Sequence, residues 1–155
     1  MKIYFYGFLI IIFQSFLSEF LSINGIRPDF ILIYLIYVSV QFGSTSGVII
    51  GFILGIISDL LGVGTSFGLS PLTYTFTGYL TGIFCINNRT KSPFQFHTTW
   101  LTIVIIHFLL ITFIRYQSIF IDNSIHYITI WILTTMYTLG FIGILQIVKP
   151  LHRRS

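Results

Sequence analysis

The chain has 155 residues, of which 55% are apolar and only 8% charged, with a formal net charge of +4. A soluble domain of this length needs far more charge to cover its surface, so the composition excludes one and describes a chain solvated by lipid. The basic excess does not point to nucleic acid, because no solvated basic face with interleaved aromatics is present; the lone Cys85 excludes an intrachain disulfide or a cysteine metal motif.

Six apolar segments follow one another along the chain, and a spanning helix needs about 20 such residues. The first runs over 3–23, with Glu19 in its last turn; it lacks a small-x-small cleavage site and reads as a membrane helix, not a removed leader. SINGIRPD then interrupts the pattern, with Asn24-Gly25 as a turn signal and Pro28 suited to open a helix. The second segment, 29–42, extends only about 21 Å as a helix, short of the ~30 Å hydrocarbon core. It is either a re-entrant element or a span. The third covers 46–64, the fourth 67–86, the fifth 97–115 and the sixth 124–148, with NNRTKSPFQF as the longest polar break and KPLHRRS at the end.

Charge placement selects between topologies. If all six segments cross and the N-terminus is cytoplasmic, Lys2, Arg89, Lys91, Lys149, Arg153 and Arg154 lie inside and only Arg27 and Arg115 outside. The expectation is an all-α polytopic membrane protein, a single integral membrane domain over 1–155 with both termini cytoplasmic. Glu19, Arg27, Asp29 and Asp59 then gather toward the outer face. Asp29 has a local explanation, since a carboxylate in a first turn satisfies free N–H groups and complements the helix dipole.

The third segment carries the clearest pattern. Gly43, Gly47, Gly51, Gly55 and Asp59 recur every four residues and share one face. Helices in lipid associate by close packing over small residues, so the stripe suits packing against the second or fourth helix, or docking of another protein. Gly78 and Gly82 repeat the spacing on the fourth segment, and the GVGTSFG link makes the two an antiparallel hairpin. Asp59 is expected to face protein, as a polar anchor rather than part of a proton relay, with Thr65, Ser66, Ser70, Tyr74 or a backbone N–H as donor and Arg27 as a candidate counter-ion. His107 reads as a hydrogen-bonded interior residue. No catalytic reading survives: Gly68-Leu69-Ser70 is followed by Pro71 where an intramembrane serine protease wants glycine, one membrane-embedded aspartate cannot form an aspartyl pair, and the four histidines have no metal spacing. No cofactor or metal is expected.

Arg27-Pro28-Asp29-Phe30, followed by GFILGIISDLLGVGTSFGLSPLTYTFTGYLTG, resembles the MreD family of bacterial rod shape-determining membrane proteins over residues 26–86. The positions that match the family pattern are Pro28, Asp29, Gly51, Gly55 and Asp59, with Arg27 at the head of the motif. The resemblance implies a non-catalytic component of the elongation machinery in the bacterial cytoplasmic (inner) membrane. Its partner there is an MreC-like bitopic protein; through it come an MreB-like filament and a RodA-type glycosyltransferase with its class B penicillin-binding protein. A homodimer is a further option. The family also looks similar in fold to the six-helix S-components of energy-coupling-factor transporters. A vitamin- or small-molecule-binding subunit of that kind is the alternative, weakened by a first segment that offers Ser15, Ser18 and Ser22 but no alanine for docking.

Overall fold

The computed structural model describes residues 6–7, 9–12, 14, 20–23, 25–61, 67–88, 92–148 and 150–151. Lys2, Ser15, Ser18, Glu19, Asn24, Thr65, Ser66, Arg89, Lys91, Lys149, Arg153 and Arg154 therefore lie outside the described residues. The secondary structure is helical: α1 at the described positions 6–7, 9–12, 14 and 20, then α2 (Phe30–Phe42), α3 (Ser44–Leu60), α4 (Leu69–Asn88), α5 (Pro93–Arg115), α6 (Gln117–Asp122) and α7 (Ser124–Val148). Two of these, Pro93–Arg115 and Ser124–Ile147, are long and apolar enough to cross a membrane.

The short α2 is the central element. Ile31, Leu32, Leu35 and Ile36 are fully buried, and α2 packs against α3, α4 and α7. A helix that is apolar all round belongs inside a bundle. Its 13 residues span about 20 Å, and eight of them, from Ile31 to Val40, are buried within the bundle. Gly43 joins α2 to α3 alone, with φ of 89° that other residues rarely adopt. This tight joint starts α3 at Ser44, earlier than the polar run Ser44–Ser46 suggests, and folds it back along α2.

Between α3 and α4 the backbones touch. A Cβ built on Gly51 would stand 2.7 Å from the Tyr74 carbonyl oxygen, and one on Gly78 would stand 2.5 Å from that of Gly47. Gly55 faces Pro71 and Gly82 faces Ser44 more closely still. Positions on α3 rise as their partners on α4 fall, so the two helices run antiparallel in constant register. The register carries through to Asp59, whose Oδ2 accepts the Gly68 N–H at 2.6 Å. Gly68, at φ 95°, is non-helical and delays α4 to Leu69.

At the other hairpin Ser92 caps α5, its Oγ accepting the Gln95 N–H at 3.2 Å with Pro93 in the first turn. The helix therefore begins before His97, where the polar NNRTKSPFQF stretch leads one to place its start. The sequence reading assigns no element between the fifth segment, ending at 115, and the sixth, starting at 124, whereas α6 forms there. Its Phe120 ring packs edge-on against Phe113 (5.8 Å) and Tyr127 (5.2 Å), which fastens α5 to α7. Less of α7 than of α5 is buried, so α7 is the more peripheral of these two helices.

Candidate functional site: a polar cavity at the head of the central helix

The chain entering α2 is not helical. Ile23 and Ile26 exchange backbone hydrogen bonds (3.1 and 2.9 Å) around Gly25, whose φ is 82°. Backbone groups freed in this way must find partners inside the fold. Gln14 of α1 supplies two: its Nε2 donates to the Pro28 carbonyl (3.1 Å) and its Oε1 accepts the Phe30 N–H (2.8 Å). Thr138 of α7 accepts the Asp29 N–H (3.2 Å), and the Tyr137 hydroxyl donates to the Leu21 carbonyl (2.9 Å). Side chains from both ends of the sequence thus clamp the segment 21–30.

Asp29 is the hub. As N-cap of α2 its Oδ1 accepts the Leu32 N–H at 2.8 Å, the local role its position predicts. Its Oδ2 accepts the Tyr74 hydroxyl at 2.7 Å, and His107 Nε2 stands 3.9 Å away. The Tyr74 and His107 rings are stacked at 5.3 Å. His107 is buried, with Nδ1 held at 2.7 Å from the Thr77 hydroxyl, while Nε2 has no hydrogen-bond partner among the described residues. This network joins α2, α4, α5 and α7 around one carboxylate.

Above Asp29 opens a cavity of about 300 Å³. Arg27, Asp29 and Arg115 are its charged lining; Gln14, Ser58, Ser70, Tyr74, Thr112, Tyr116 and Thr134 are polar, and Phe108 and Ile111 apolar. The start of α2, the end of α3, the start of α4 and the end of α5 meet there. Arg27 and Arg115, 88 positions apart in sequence, share this end of the bundle. Neither guanidinium forms an ion pair among the described residues, and the buried Nε of Arg115 has no hydrogen-bond partner there.

The sequence-predicted residues thus fall into two groups. Pro28, buried, Asp29 and Arg27 belong to the cavity. Gly47, Gly51, Gly55, Gly78 and Gly82 belong to the α3–α4 contact, with Asp59 closing its end. Of the donors considered for Asp59, a backbone N–H is the one found, supplied by Gly68; Tyr74 turns to Asp29 instead, and Arg27 makes no pair with Asp59. Asp59 Oδ1 is buried without a partner among the described residues.

Sequence reasoning missed Gln14, Arg115 and Thr138. Gln14 alone carried a signal, as a lone amide inside an apolar run; Thr138 is one of many threonines, and nothing local distinguishes Arg115 from a topology anchor. Among the described residues no three His, Cys, Asp or Glu side chains are grouped to hold a metal ion.

No curated protein and no solved structure matches the chain. The model of one family, rod shape-determining protein MreD, matches residues 1–148. That span includes the Asp29 hub, the cavity walls and the glycine-packed hairpin together, and the chain belongs to the MreD family, a membrane protein of the rod-shape machinery.

Proposed function

We propose that the chain is a non-catalytic, multi-pass component of the cell-elongation machinery in the bacterial cytoplasmic membrane. In this reading it holds an MreC-like bitopic protein and, through it, the MreB-like filament and the RodA-type glycosyltransferase with its class B penicillin-binding protein. The observation that carries the reading is the family match over residues 1–148. The site geometry agrees with a structural role: the Asp29 network is spent on capping, clamping and helix packing.

The topology that goes with this role has six crossings and cytoplasmic termini within one membrane domain. Arg27 and Arg115 sharing one end of the bundle supports it, since these are the two basic residues that positive-inside bias leaves outside. The constant antiparallel register of α3 and α4 supports it as well.

Affinity purification of the intact chain in mild detergent tests the reading. An MreC-like protein is expected to co-elute, and Asp59→Leu, which leaves the Gly68 N–H unpaired, is expected to reduce its recovery and round the cells. Absence of such a partner from the wild-type preparation would overturn the scaffold reading. Normal recovery and normal shape with the variant would remove Asp59 from it.

A further inference from the structure

We propose that the cavity above Asp29 is a binding site for a phosphate-bearing molecule, with the phosphoryl group held between Arg27 and Arg115. The proposal stands apart from the scaffold role and does not rest on it. Its first ground is electrostatic: two guanidinium groups and one carboxylate line the cavity, and neither guanidinium has an ion-pair partner among the described residues. Arg27 is exposed and Arg115 half-buried, so the cavity carries one positive charge in excess of the Asp29 carboxylate, and an anion between the two arginines complements it.

The second ground is the carboxylate itself. Both Asp29 oxygens accept hydrogen bonds, from the Leu32 N–H and the Tyr74 hydroxyl, and neither forms an ion pair with an arginine among the described residues; its single charge offsets at most one of the two guanidiniums. The third is Arg115 Nε, a buried donor with no partner among the described residues. A tetrahedral phosphoryl group suits two arginines with the Tyr116 hydroxyl beside them, because it presents acceptors in several directions. About 300 Å³ accommodates a headgroup or a small phosphorylated solute and no large substrate. The same phosphate chemistry can arrive on a lipid headgroup or free in water, and the experiment separates the two sources.

The intact chain, purified in detergent, is titrated with three probes: dioleoyl phosphatidylglycerol, dioleoylglycerol, which lacks the phosphate, and inorganic phosphate. Native mass spectrometry reads lipid occupancy, and intrinsic fluorescence during heating reads the response to phosphate. Phosphatidylglycerol is expected to bind at least tenfold more tightly than dioleoylglycerol. Arg27→Gln and Arg115→Gln are each expected to weaken binding about tenfold, the loss of one charge-assisted contact, with partial recovery in Arg115→Lys. Thr134→Phe, which fills the cavity without changing charge, is expected to weaken it similarly, and with Arg27→Gln it carries the test should Arg115→Gln not fold.

Binding of phosphatidylglycerol alone with this dependence assigns a lipid headgroup, and an equal response to inorganic phosphate assigns a soluble phosphate compound. Equal binding of the two lipids with no response to phosphate overturns the proposal. So does binding that all folded variants leave unchanged.

Discussion

At the scale of single residues, Asp29 combines two duties that are separable by substitution. Its Oδ1 caps α2 through Leu32 and its Oδ2 receives the Tyr74 hydroxyl. Asparagine is as good an N-cap as aspartate, so Asp29→Asn should keep the cap and weaken only the Tyr74 contact. Asp29→Ala removes both and leaves a buried donor without a partner, a loss of about 1–3 kcal/mol. Thermal unfolding in detergent should rank wild type above Asn and Asn above Ala; equal midpoints for Asn and Ala would show that Oδ1 does not cap. Gln14 is a second such residue. It bridges the Pro28 carbonyl and the Phe30 N–H, so Gln14→Leu should destabilise by a similar amount although it raises apolarity.

At the scale of elements, the same residue type has opposite effects on two helices. Gly51, Gly55, Gly78 and Gly82 sit where α3 and α4 backbones touch, and a Cβ there meets backbone atoms that cannot move aside cheaply. Gly51→Ile or Gly55→Ile should therefore cost 1–3 kcal/mol or more, with loss of folded yield as the readout. Gly140 and Gly143 on α7 have nothing within 4 Å. Gly140→Ala should instead stabilise the isolated chain, by up to about 1 kcal/mol of helix propensity. If both classes of substitution behave alike, the α3–α4 contact is not what these glycines serve.

For the whole molecule, orientation is the testable property. The proposed topology has six crossings and cytoplasmic termini, and in it a C-terminal fluorescent-protein fusion should be bright and a C-terminal alkaline phosphatase fusion inactive. Reversal of this pattern would remove the proposed topology. Inserting a single glycine after Gly43 offers a second measure of how the bundle depends on its joints. The α2–α3 turn is one residue long with φ of 89°, and longer loops loosen the register that sets Ser39 against Gly47.

Much of this was legible along the chain, because lipid as solvent imposes long apolar runs and every interruption stands out. The six segments, the turn at Gly25, the Asp29 cap and the every-fourth glycine face follow from hydropathy and from the 3.6-residue period of the helix. Segment ends moved by a few residues where a local group decided them, as Gly43, Gly68 and Ser92 did. Only the tertiary structure decided what meets what. Fourteen positions of sequence separate Gln14 from Pro28, and 109 separate Asp29 from Thr138. Local periodicity assigns a face to each helix, yet carries no information about which distant polar group will satisfy backbone freed at a break. The sequence by itself determined a helical membrane bundle with small-residue contacts. The fold alone placed Arg27, Arg115 and the α2 N-terminus around one cavity, since only packing brings groups so far apart in the chain to one place.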